Sequence, residues 1–182
     1  MQLARNAING AHTEVKELPR SSPLRQPRGV FVTLTTGGKL RGCIGQITSR
    51  EPLLDTVAEC ATGAAFRDHR FPPVTAGEMD HIVLSISVLS EPTSMSVNSR
   101  RDLLAQLQPG IDGLVLREGQ RQATFLPSVW EQLPQAEQFL GQLLQKAGLP
   151  ADHWSAELRF SRYTSHSFTE SARRTPGPAV SR

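Results

Sequence analysis

Apolar positions along the chain change their period several times, and each change predicts an element. MQLARNAIN has the spacing of a short helix stopped by Gly10, followed by a polar, proline-bearing connection through Arg28. GVFVTLTTGGKLRGCIG then alternates, predicting strands over 30–35 and 39–44 joined through Gly37-Gly38, a dipeptide suited to a tight hairpin. From Pro52 onward, Leu53, Val57, Ala61 and Ala64, supported by Leu54, Ala58 and Ala65, recur at helical spacing. The small side chains on that face allow a helix to lie close on a sheet. IVLSISVLS sets Ile82, Leu84, Ile86 and Val88 against Ser85 and Ser87, a strand with one buried face.

The second half repeats that order. DGLVLREGQRQATFLP predicts a hairpin around Glu118-Gly119, and SVWE offers Ser128 and Glu131 as the capping box of a short helical turn. Ala136, Phe139, Leu140, Leu143, Leu144 and Ala147 form the apolar face of a helix ending at Gly148, and ELRFSRY supplies a last strand. Gly29 and Gly113 open matching hairpins 84 positions apart. The expectation is one α+β domain over residues 1–170, with duplicated β-hairpin/helix/strand halves at 29–90 and 112–165 around a largely antiparallel sheet. The polar tail over 171–182 is expected to be disordered.

Composition narrows the function classes. The 182 residues suit one sizeable core, with 38% hydrophobic and 20% charged residues, while 13 prolines and 14 glycines imply many turns. A net charge of +3 hints at nucleic acid, but removing Arg173, Arg174 and Arg182 of the tail leaves equal numbers of basic and acidic residues. Global charge thus makes no case for a polyanion. Two cysteines are too few for a disulfide framework, no apolar run reaches the length of a bilayer span, and the start lacks the apolar stretch of a secretory signal. A cytoplasmic protein without membrane contact is the expectation.

Candidate chemistry gathers in two places. In an extended strand Arg41 and Cys43 share a face, with Gly42 and Ile44 on the other. A guanidinium beside a thiol favours thiolate, and glycines at 42 and 45 can admit a ligand or another backbone. Cys43 is a candidate nucleophile; the alternative is a small buried hydrophobe. Cys60, among the alanines of the helix, is assigned to packing. FRDHRFPPV places Asp68, His69 and Arg70 in a proline-stiffened loop able to bind an anion or move protons; a solvated helix end is the alternative. The histidines at 12, 69, 81, 153 and 166 lack zinc spacing, no C-x-x-C is present, and neither common phosphate-loop motif occurs, so no metal or cofactor is expected. His166 could reach the site only through the fold; otherwise it is a surface histidine.

The run Leu40-Arg41-Gly42-Cys43-Ile44-Gly45 closely resembles the signature of the AMMECR family, also called protein A of bacterial AmmeMemoRadiSam systems. The resemblance continues through RGVFVTL, DHRFPPV, SISVLS, GIDGLVL, ATFLPSVWEQ, FLGQLLQKAGL and FTE, covering about residues 3–170 in order. It implies an α+β fold with duplicated β-rich halves, in agreement with the periodicity. It also implies functional association with a Memo-like protein and a radical S-adenosylmethionine enzyme, and carries Arg41, Gly42, Cys43, Gly45, Asp68, Arg70 and Phe71 over as site residues, with His69 inside the second motif. The short N-terminal helix and the Arg/Pro/Gly tail depart from the family pattern.

Three functional readings follow. In the first, the chain is an enzyme component in a biomolecule-modification system: Cys43 attacks an electrophile, Arg41 or Arg70 holds an anionic group, and Asp68 or His69 handles protons. In the second, it is a non-catalytic module that docks a partner on the glycine-framed strand. RNA or nucleotide binding, resting on local arginines, is a third.

Overall fold

The computed structural model describes residues 1–10, 19 and 21–171, so most of the connection expected after Gly10, with His12, and the tail from residue 172 lie outside the described residues. Two compact units are present, one of Met1–Val88 together with the chain from Ser167 onward, the other of Leu89–His166.

The first unit opens with helix α1 (Gln2–Ile8), then strands β1 (Val30–Thr36) and β2 (Lys39–Gln46), helix α2 (Leu53–Phe66) and strand β3 (Ile82–Leu89). Gly37 and Gly38 both have positive φ, +56° and +77°, which the two-residue turn between β1 and β2 requires. Val30, Val32 and Leu34 on β1 and Ile82, Leu84 and Ile86 on β3 bury one sheet face. Ala61, Ala64 and Ala65 of α2 share that core.

The second unit runs β4 (Thr93–Met95), α3 (Arg100–Gln106), β5 (Gly113–Glu118), β6 (Arg121–Phe125), α4 (Ala136–Lys146) and β7 (Arg159–Tyr163). Leu114, Leu116, Ala123 and Phe160 face Phe139, Leu140, Leu143 and Leu144 of α4 in its core. Trp130 stacks on Phe139 with ring centroids 3.9 Å apart and donates its indole N–H to the Asp112 carbonyl at 2.7 Å. The last strand, β8 (Ser165–Thr169), returns to the first sheet.

Each sheet has four strands, ordered β2-β1-β3-β8 and β4-β7-β5-β6, and both are antiparallel. Within each, the first hairpin strand lies between its hairpin partner and the strand after the helix. The register repeats as well: Val32 pairs with Ile44 and Ile86, and Leu116, 84 residues later, pairs with Ala123 and Phe160, all facing a core. The fourth strand differs, because β8 comes after the other three strands of its sheet in sequence and β4 comes before the other three of its own.

Two expectations are corrected. The Ser128/Glu131 capping box does not form: the turn Pro127–Glu131 begins two residues earlier, with Leu126 at the cap and no side-chain cap bond, because Pro127 presets φ for the first helical position. Strands β4 and β8 and helix α3 were not anticipated. β4 has three residues, α3 buries only Leu103, and β8 is almost wholly exposed, so none carries a period strong enough to read.

Candidate functional site

The local structure around Cys43 is set by one extra residue. Thr36 pairs with Lys39 and Thr35 with Leu40, but Leu34 pairs with Gly42, so Arg41 is the unpaired residue of a β-bulge. Continuing the register of the turn would set Cys43 opposite Val32 on the core face. The bulge advances β2 by one position, and since a one-residue slip exchanges the faces of a strand, Ile44 pairs with Val32 and joins the core while Cys43 pairs with Thr33. The thiol thus lies on the side away from α2, partly exposed, 3.3 Å from Thr33 Oγ1.

That face is rich in hydroxyls. Ser85 contacts Thr169 and Ser87 contacts Ser167 through oxygen pairs at 2.9 Å between β3 and β8, and Phe31 and Thr33 lie alongside on β1.

β2 is an edge strand, and the loop after α2 closes its edge at Cys43. The Cys43 N–H donates to Asp68 Oδ2 at 2.9 Å, and Arg70 Nη2 donates to the Cys43 carbonyl at 3.3 Å. Asp68 also accepts from the Arg70 N–H at 3.2 Å, Arg70 Nε at 2.9 Å and Arg70 Nη2 at 2.7 Å. The Arg70 guanidinium, foremost, holds the nearly buried Asp68 carboxyl well below the usual carboxylate range against the opposing effect of burial. The Phe71 ring lies 5.6 Å from the Arg70 guanidinium carbon.

Arg41 does not serve the thiol as expected. Its Nε donates to Glu78 Oε1 at 2.7 Å, and its Nη2 to Glu78 Oε2 at 3.2 Å and the Pro73 carbonyl at 3.4 Å. The Arg41 guanidinium first, then the Thr75 N–H and hydroxyl, pull the Glu78 carboxyl down to about 2. The two glycines admit protein. A Cβ on Gly42 would lie 2.1 Å from the Ala64 carbonyl oxygen of α2, and one on Gly45 would meet the Phe31 ring at 2.4 Å. Gly42 lets the helix approach, and the Phe31 ring covers Gly45.

The structure therefore brings Cys43, Asp68 and Arg70 together, ties Arg41 to Glu78, and leaves His69 exposed beside them and His166 exposed on β8. Cys60 is enclosed in the core, and burial first, then Glu59, pushes its thiol up to about 11, as packing without reactivity requires. Among the described residues no group of three His, Cys, Asp or Glu side chains is placed to hold a metal ion. Thr33 and Glu78 escaped the sequence reading. Thr75-x-x-Glu78 has the capping signature that betrays Glu78, whereas Thr33 becomes Cys43's neighbour only through the bulge.

The AMMECR1 family profile matches residues 1–168. The chain belongs to the AMMECR1 family. A protein of Methanothermobacter thermautotrophicus is 41% identical over 161 residues, 84% of this chain and 82% of the relative. Protein MJ0810 of Methanocaldococcus jannaschii is 39% identical over 173 residues, 91% and 83% of the two chains. The crystal structure of uncharacterized protein PH0010 from Pyrococcus horikoshii matches with a TM-score of 0.84 at 33% identity, covering 96% of this AMMECR1-family chain and 91% of that one. No helix among the described residues is long and apolar enough to cross a membrane.

Proposed function

We propose that this AMMECR1-family chain is the thiol-presenting component of a cytoplasmic biomolecule-modification system, acting with a Memo-like protein and a radical S-adenosylmethionine enzyme, with Cys43 Sγ as the nucleophile. One observation carries the reading: the bulge at Arg41 turns Cys43 off the core face, while Asp68 and Arg70 grip its peptide at both the N–H and the carbonyl. A nucleophile held on a fixed backbone loses less freedom on meeting its electrophile.

The remaining charged groups limit what the chain does alone. Asp68 is saturated with donors and stays ionised, so it positions Cys43 and is a poor proton carrier. Arg41 is bound to Glu78. The thiol proton therefore leaves to exposed His69 or to a group on the partner, and Arg70, paired with Asp68 but with its side chain 52% exposed where that of Arg41 is 13%, is the better placed cation to meet an anionic substrate group.

The same saturation favours a second reading, a non-catalytic docking module whose polar residues hold the edge strand in shape. Cys43→Ser separates the two. With the fold intact by circular dichroism, the component reading expects association with partners to persist and product formation by the reconstituted system to fall at least a hundredfold. Unchanged product formation sinks the nucleophile and leaves the docking module.

A further inference from the structure

Three of the four sheet edges are guarded and one is bare. The β2 edge is closed at Cys43 by Asp68 and Arg70. On β6 the Thr124 and Phe125 carbonyls accept from Lys146 Nζ at 2.9 Å and the Tyr163 hydroxyl at 3.0 Å, and β4 is only three residues long. Each of these devices discourages a further strand from pairing. The remaining edge is β8, whose sequence SHSFT holds no lysine, arginine, carboxylate or proline to guard it. It carries Phe168 instead, an apolar ring 57% exposed.

Register fixes which backbone groups face off that edge. The Glu170 N–H donates to the Leu84 carbonyl at 3.0 Å, and oxygen pairs at 2.9 Å set Ser85 opposite Thr169 and Ser87 opposite Ser167. Hydrogen-bonded and non-hydrogen-bonded pairs alternate along an antiparallel ladder. Leu84 and Glu170 form a bonded pair, so the N–H and C=O of Ser165, Ser167 and Thr169 point away from β3. Among the described residues no backbone group bonds them.

The bare edge is complementary to itself. A second β8 laid antiparallel about a two-fold axis at Ser167 sets Ser167 opposite Ser167 and Ser165 opposite Thr169, each as a hydrogen-bonded pair. Every outward donor then meets an outward acceptor, and any other register leaves some of these groups unpaired. The alternate positions bring Phe168 of each copy opposite His166 of the other, an aromatic pair across the strands. The hydroxyls fall on the opposite face.

We propose that β8 is a homodimer edge, pairing with β8 of a second copy about Ser167. The two first sheets become one sheet of eight strands, with both Cys43 residues on the same face and on its outermost strands. The inference does not depend on any reaction at Cys43. Sedimentation equilibrium of the full chain over a concentration series should show a reversible dimer. Ser167→Pro removes an N–H that bonds nothing within one copy, a change an edge strand tolerates, and should weaken the dimer at least tenfold with the circular dichroism spectrum unchanged. A second measurement reads the register. In a Cys43→Ser background, Ser167→Cys should cross-link to its own counterpart on mild oxidation, because the facing Cα atoms of a hydrogen-bonded pair lie about 5.5 Å apart, within disulfide reach. Thr169→Cys, which faces Ser165, should not. A chain that stays monomeric throughout leaves the edge to a different partner and overturns the proposal. So does a dimer that Ser167→Pro leaves intact, or cross-linking that is equal at the two positions.

Discussion

At the scale of single residues, the two cysteines show how environment separates identical chemistry. Cys60 sits among the core alanines with its thiol pushed up to about 11, whereas Cys43 is partly exposed beside Thr33. Iodoacetamide on the native protein should label Cys43 alone, and peptide mass spectrometry should find Cys60 modified only after denaturation. Asp68 makes a second case. Its folded-state carboxyl titrates below the unfolded value, so its contribution is complete above roughly pH 4 and is lost as pH falls below that. Asp68→Asn should cost about 1–3 kcal/mol at neutral pH, since it strips the Cys43 amide and Arg70 of a charged acceptor. Urea midpoints from pH 6 to pH 2 should fall less steeply in the variant than in wild type; parallel curves would deny Asp68 this role.

At the scale of elements, contact between β2 and α2 depends on a missing side chain. With a Gly42 Cβ placed 2.1 Å from a helix carbonyl, relief requires backbone movement, because no flexible side chain can give way. Gly42→Ala should therefore cost about 1–3 kcal/mol or more, measured by urea unfolding, in a strand where alanine is otherwise tolerated. The order of elements along the chain and the alternation of β1 and β3 were legible in the sequence, the alternation because one face of each strand is buried against a helix. The bulge was not legible. The sequence offers a two-residue glycine turn whose simple register puts Cys43 inward, and only the fit of Ile44 and Gly42 under α2 selects the slipped pairing.

At the scale of the molecule, the first unit is closed by residues from both ends of the described chain. Arg5 of α1 is almost fully buried, pairs with Glu170 through Nε at 2.8 and 2.9 Å and Nη2 at 2.5 Å, and donates to the Met79 and Ile82 carbonyls at 3.1 and 2.6 Å. The Glu170 N–H in turn donates to the Leu84 carbonyl at 3.0 Å. Removing the carboxylate strands a buried guanidinium, so Glu170→Ala should destabilise the protein by about 3–5 kcal/mol. Thermal unfolding followed by circular dichroism measures this, and a melting temperature within a degree of wild type would contradict it. No local pattern links Arg5 to Glu170: they lie 165 residues apart and β8 has little periodicity.

The sequence by itself determined the two hairpins, the helices that begin near Leu53 and Ala136 and the repeat at 84 residues, and it singled out Cys43 and the Asp68–Arg70 loop without joining them, because turn glycines and apolar period act over a few residues. Tertiary structure decided which way Cys43 faces, that Arg41 pairs with Glu78, that Asp68 and Arg70 close the strand edge, and that β8 completes the first sheet. These are decided by long-range packing and by the pairing of buried charge and edge backbone groups, each of which needs a partner the local sequence does not name.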